Sequence, residues 1–212
     1  MTTTAAWQVP PVSQQDHVQG PAGAPVVLIE YGDYECPFCK QAEPVVRELR
    51  RRLGDHLQVV FRHFPRTDVH PHARHAAEAA EAAAAQGKFW EMHNLLFANQ
   101  QALDDDHLVS YAASLGLDTD RFRRELSEHV YKERVHTDLV SAIDSGAHGT
   151  PTFFINGVKH EGSDTLEDLL DAIHTQLHGA ETPEEPAGDV VEEASRESFP
   201  ASDAPGWIRE TL

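Results

Sequence analysis

Two periodicities meet in Glu30-Tyr31-Gly32-Asp33-Tyr34-Glu35-Cys36-Pro37-Phe38-Cys39, one of a strand and one of a helix. Upstream, Ala24-Pro25-Val26-Val27-Leu28-Ile29-Glu30-Tyr31 is a near-continuous apolar run with β-branched residues, which suits a strand covered on both faces. Gly32 and Asp33 end it. Downstream, Ala42, Val45, Val46, Leu49 and Leu53 recur at helical spacing before Gly54, predicting an amphipathic helix from Pro37 to Leu53. Proline is a favoured first helical residue, so both cysteines fall in or beside the first turn. A second apolar run, Leu57-Gln58-Val59-Val60-Phe61, precedes Pro65, which cannot donate to a ladder. Strand, helix and strand in such quick succession form a βαβ unit, and a right-handed crossover makes the strands parallel.

The placement of the cysteines gives them a chemistry. Thiol-disulfide exchange needs an attacking thiolate and a second sulfur able to displace the mixed disulfide. A thiol at a helix start meets unpaired N–H groups and the positive end of the dipole, which lower its pKa from about 8.5 to roughly 3.5–7.5. Cys36 fits the nucleophile, and Cys39, one turn inward, fits the resolving thiol. Glu30, on the preceding strand, is positioned to take the proton that Cys39 must lose, or else to reach water as a strand-end carboxylate. Pro37 and Phe38 complete the loop. The spacing C-x-x-C also supplies half of a tetrahedral zinc site, but these are the only two cysteines in the chain. Closing so short a loop constrains little unfolded chain, so stapling explains the pair less well than chemistry does.

Beyond this unit the pattern changes. From Val69 to Ser145 the chain is Ala-rich and helical in period, with Gly87, Asp104-Asp105-Asp106 and Gly116 as punctuation, predicting four or five helices. Thr152 to Val158 regains strand character around an Asn156-Gly157 turn, with Val158 to His160 pairing back. Leu166, Leu169, Leu170, Ile173 and Leu177 stripe a last helix. The expected organisation is a flexible leader (1–20), a first core segment (21–67), a helical insertion (68–147), a second core segment (148–179) and an acidic, disordered tail (180–212).

His70, His72 and His75, with His63 nearby, form the densest histidine cluster; it reads either as a metal site or, more simply, as solvated side chains at a helix entrance. Phe89, Trp90, Met92, Leu95, Leu96 and Phe97 fit core packing better than an apolar floor for substrates. A net charge of -18 argues against nucleic acid and against an anionic membrane surface as partners. Residues 1–20 hold no Lys or Arg, and no apolar run reaches the length of a membrane span. A cytoplasmic location is expected.

The Glu30 to Cys39 motif, Pro44 in the following helix, and Gly149-Thr150-Pro151-Thr152-Phe153-Phe154-Ile155-Asn156-Gly157 together resemble the DsbA-like branch of the thioredoxin superfamily. The resemblance runs from Asp16 to Leu177 and is similar both to stand-alone forms and to the soluble domain that follows some sodium/proton antiporters. It implies an α/β thioredoxin fold split by an all-helical insertion. It also implies that Pro151 is cis and faces the dithiol, and that the Thr150 backbone pairs with substrate. Phe38 stands where the periplasmic oxidant of the family has histidine, so it offers Cys36 no side-chain donor. The implied function is thiol-disulfide oxidoreductase on protein or small-molecule substrates, with a redox partner and no cofactor beyond the Cys36–Cys39 disulfide. The rival readings are a glutathione- or peroxide-linked thiol enzyme, and a non-enzymatic redox-sensing, chaperone-like or metal-binding module.

Overall fold

A computed structural model describes residues 8–178. Strands β1 (His17–Gln19), β2 (Val26–Gly32), β3 (Leu57–His63), β4 (Thr152–Ile155) and β5 (Val158–Lys159) form one sheet in the order β1-β3-β2-β4-β5. Only the β2–β3 pair is parallel; β1–β3, β2–β4 and β4–β5 are antiparallel. Helix α1 (Pro37–Leu53) makes the crossover between the parallel strands. The insertion comprises α2 (Ala73–Ala84), α3 (Phe89–Ala98), α4 (Asp105–Ser114), α5 (Thr119–Ser127) and α6 (Lys132–Asp144), and α7 (Leu166–His178) closes the described chain.

Strand alternation sorts β2 between two cores. Val26 and Leu28 pack with Ala42, Val46 and Leu49 of α1 and with Leu169 and Ile173 of α7. Ile29 and Tyr31 face the other way, onto Phe154, Ala142 of α6 and Ala147. A third core lies inside the insertion, where α2 is the hub: Ala76, Ala79, Ala80 and Ala83 are all buried and let the neighbouring helices approach closely. Full burial of each larger side chain, such as Leu49 or Phe122, stabilises by about 1.5–3 kcal/mol. Asp104 and Asp118 cap α4 and α5, accepting from His107 N and Arg121 N at 3.2 and 2.9 Å. Phe89, Met92, Leu96 and Phe97 are core residues, as their helical stripe predicts.

The leader is a correction. From residue 8 to residue 20 it is part of the fold: Val9 is buried, and β1 pairs His17 with Phe61, Val18 with Val60 and Gln19 with Val59. The reason is Arg62, itself buried on β3. Its guanidinium is bidentate on Asp16 at 2.7 and 3.0 Å and also donates to the Pro10 and Pro11 carbonyls and to Tyr31 Oη. A fixed fork of donors thus fastens the proline-rich segment to the sheet. Gly20 turns the chain into the next segment at φ +100°, where a Cβ would sit 2.3 Å from the Leu57 carbonyl. The expected tail, 180–212, lies outside the described residues; among the described residues, no helix is long and apolar enough to cross a membrane.

Candidate active site

Cys36 is the N-cap of α1, at φ −73° and ψ 123°, and Pro37 is its first helical residue. Both cysteines are free thiols. Cys36 is 3% exposed and Cys39 is fully buried, while Phe38 between them is 64% exposed. A loop from the far end of the chain closes over them: the Thr150–Pro151 peptide bond is cis, and the Cys36 thiol lies 3.2 Å from the Thr150 carbonyl. Residues 36 and 150, distant in sequence, thereby share one site.

The two sulfurs are held at opposite ends of the thiol range. Cys36 is pulled down to about 5, chiefly by the hydrogen bond from the Cys39 thiol, against the opposing effect of burial; the Thr150 side chain and the Cys39 and Phe38 backbone N–H groups add to the lowering. Phe38 therefore lowers the Cys36 pKa through its backbone, although its side chain has nothing to donate. Cys39 is pushed far up by burial first, then by its bond to Cys36 and by the negative charges of Glu30 and Cys36. Glu30, 3% exposed on β2, is also pushed well up, by burial first and then by Glu43, Asp164 and Cys36. A thiol ionised at neutral pH thus sits beside a thiol that keeps its proton and a buried carboxylate with raised proton affinity.

The loop between strand and helix is fixed by residues that sequence reasoning missed. Asp33, 2% exposed, accepts from Glu35 N, Arg66 N and His70 Nδ1, each at 2.8 Å, and its own N–H points to Cys39 Sγ at 3.4 Å. Gln100, just beyond α3, donates to the Tyr34 and Cys36 carbonyls at 2.7 and 2.8 Å. The insertion therefore holds the dithiol loop by its backbone. Gly32 is required at the strand end, because a Cβ there would lie 2.5 Å from the Phe61 ring. The signal in the sequence was the Gly32-Asp33 pair, read there only as a strand stop.

The expected histidine cluster does not converge. His70 is on Asp33, His75 on Asp105, and His63 on Glu81, while the His72 N–H is bound by Glu35. Each imidazole of that trio answers a different carboxylate.

Comparison with known proteins agrees with this arrangement. A family model described as thioredoxin matches residues 12–175. Part of the Na(+)/H(+) antiporter NhaA 1 of Salinispora arenicola is 48% identical over 171 residues, which is 81% of this chain and 26% of that protein. The chain therefore spans about a quarter of the curated relatives it matches. Among solved structures, oxidised BdbD from Bacillus subtilis superposes with a TM-score of 0.69 at 22% identity, covering 78% of this chain and 94% of that one. A thioredoxin-like oxidoreductase from Silicibacter pomeroyi gives 0.68 at 26% identity, covering 76% and 92%. With its family match over residues 12–175, the chain belongs to the thioredoxin family, and its sheet order and the helices set between β3 and β4 give it a DsbA-like fold.

Proposed function

We propose that the protein is a thiol-disulfide oxidoreductase working through Cys36 and Cys39. The observation that carries this reading is the opposed proton affinity of two adjacent thiols beneath the Thr150–Pro151 loop. In the reducing direction, the Cys36 thiolate attacks one sulfur of a substrate disulfide. That bond breaks, the other substrate sulfur leaves as a thiolate, and a mixed disulfide forms. Cys39 then gives its proton to the Glu30 carboxylate and attacks Cys36 Sγ, releasing the second substrate thiol and closing the Cys36–Cys39 disulfide. The oxidising direction runs these steps backwards. Thr150 and Pro151 border the reacting sulfur and serve as the substrate edge, with exposed Phe38 beside it. Turnover requires a dithiol or disulfide partner to restore the starting state, and a protein confined to the cytoplasm would meet a reducing pool there.

The test is an exchange assay on a model protein disulfide, read with Cys36→Ser and Cys39→Ser variants. Cys36→Ser is expected to abolish exchange, and Cys39→Ser to accumulate the mixed disulfide. Alkylation of reduced Cys36 should be half-maximal near pH 5, losing rate below that value as the thiolate is protonated. Full exchange by Cys36→Ser, or a midpoint near the ordinary thiol value of about 8.5, would sink the assignment. Stoichiometric consumption of glutathione or peroxide without disulfide exchange would favour the rival thiol enzyme.

A further inference from the structure

Away from the dithiol, two sets of imidazoles and carboxylates converge among the described residues: His17, His63 and Glu81, and His75, Glu78 and His129. They are not alike. In the first, Glu81 Oε1 accepts from His17 Nε2 and His63 Nε2 at 2.9 Å each, and Arg134 Nε lies 3.7 Å from the same oxygen. That oxygen is already surrounded by donors and a fixed cation. It reads as a packed hydrogen-bonded network.

The second set is built differently. Glu78 is fully buried on α2; its Oε2 accepts from His129 Nδ1 at 2.9 Å, while its Oε1 has no hydrogen-bond partner. The cation nearest that oxygen is Arg74 Nε at 3.6 Å, an ion pair one turn away on the same helix, beyond hydrogen-bond distance and on a half-exposed side chain. A buried carboxylate oxygen without a donor is costly, and a cation would remove that cost. His75 lies one turn earlier on the same helix, and its Nδ1 is held by Asp105 Oδ1 of α4 at 2.7 Å. A carboxylate on one ring nitrogen leaves the other with its lone pair and raises its basicity, the outer arrangement typical of metal-bound histidine.

His129 is the third member, and its backbone is unusual. It follows α5 at φ +53°, with its N–H on the Leu126 carbonyl and the Val130 N–H on the Glu125 carbonyl. That helix-end position favours glycine. Here an imidazole occupies it and is delivered onto Glu78. The ligand atoms of all three residues lie within 4.8 Å of one another. The side chains of His75 and His129 are 26% and 42% exposed, so an ion reaches them from solvent.

We propose that His75, Glu78 and His129 bind a divalent transition metal, with Asp105 orienting His75 and water in the fourth position. Two imidazole nitrogens and one carboxylate oxygen suit tetrahedral zinc, at about 2.0–2.2 Å from each ligand. Bound there, the ion fastens α2 to the turn between α5 and α6 and, through Asp105, to α4. It is a structural clamp within the insertion, independent of the dithiol.

The experiment uses full-length protein with the Cys36–Cys39 disulfide closed, which removes the thiols as competing ligands. Zinc is titrated calorimetrically, and bound metal is counted after dialysis. One zinc per chain is expected, with a rise in Tm of roughly 5–10 °C when zinc exceeds its Kd about a hundredfold. Glu78→Gln should weaken binding by at least about tenfold. His129→Gly is the decisive variant: glycine takes positive φ without strain, which offsets part of the cost of leaving Glu78 Oε2 without its donor, so the protein should still fold and should lose zinc to the same degree. His17→Ala should leave the affinity unchanged. No stoichiometric zinc, zinc retained by a folded His129→Gly protein, or zinc lost through His17→Ala instead would each overturn the proposal.

Discussion

Glu30 and Glu81 are carboxylates in two regions of this molecule that burial treats almost alike, at 3% and 6% exposed. Their protons are held in opposite ways. Around Glu30, on β2, burial pushes the carboxyl well up, reinforced by the negative charges of Glu43, Asp164 and Cys36. Around Glu81, on α2, burial pushes the same way but is outweighed by hydrogen bonds and charge from His17 and His63, so the carboxyl is held well below its ordinary range. Desolvation alone therefore does not say what a buried acid does; its partners decide. One region keeps an acid that holds its proton tightly, and the other uses its acid to hold β1, β3 and α2 together.

Disrupting the carboxylate of the second region should cost the protein most. Glu81→Ala leaves His17, His63 and Arg134 facing a buried gap, and a loss of about 3–5 kcal/mol in unfolding free energy is expected, read by denaturant titration. The pH dependence has a definite sign. A carboxyl lowered on folding contributes stability that is complete above its unfolded pKa of about 4.3 and is lost as pH falls below it. Acid unfolding of the parent should show that component and Glu81→Ala should not. A loss under about 1 kcal/mol would mean that the histidines and arginine find other acceptors.

Glu30→Gln tests the first region and should act on rate more than on folding. Release of the mixed disulfide by Cys39 is expected to slow about a hundredfold, seen in single-turnover exchange, while alkylation of Cys36 stays fast. Stability should move the other way from Glu81→Ala. A carboxyl raised on folding costs stability as pH rises from about 4.3 through its folded value, so the neutral glutamine should stabilise the protein at neutral pH. Loss of stability together with unchanged release would make Glu30 a structural residue.

The same contrast explains what could be read from the chain itself. The α1 period from Pro37 to Leu53, the parallel β2–β3 pair and the five helices between β3 and β4 follow from local spacing and turn residues, and the structure has them. The direction of the Cys36 shift was legible too, although its main cause is the Cys39 thiol, with the N–H groups of the helix start adding less. The packing of residues 8–20 was not, because its cause is Arg62 on Asp16, 46 residues away, and prolines alone read as loose chain. Asp33 and Gln100 escaped for the same reason: an acid after a glycine and a glutamine after a helix acquire a role only where the insertion folds back onto the dithiol loop. Histidines mislead most, since those close in sequence, His70 and His75, go to different carboxylates, while His75 and His129 meet across the insertion.

The smallest effect sharpens the comparison most. Glu43 borders the cleft of about 200 Å³ that also touches Glu30, Phe61 and His93. Burial would raise its pKa, but His93, with Nε2 at 3.4 Å, and then Arg47 lower it, so it stays ionised and adds to the rise at Glu30. Replacing it in Glu43→Gln removes a negative neighbour and leaves the burial of Glu30 nearly as it was. The pH midpoint of mixed-disulfide release should then move down by less than about one unit, or on the order of 1 kcal/mol. Asp164 and Cys36 still face Glu30 in that variant, so the midpoint should stay above the ordinary carboxylate value. An unmoved midpoint would show that desolvation alone sets Glu30, and the difference between the two acids would then rest wholly on the histidines around Glu81.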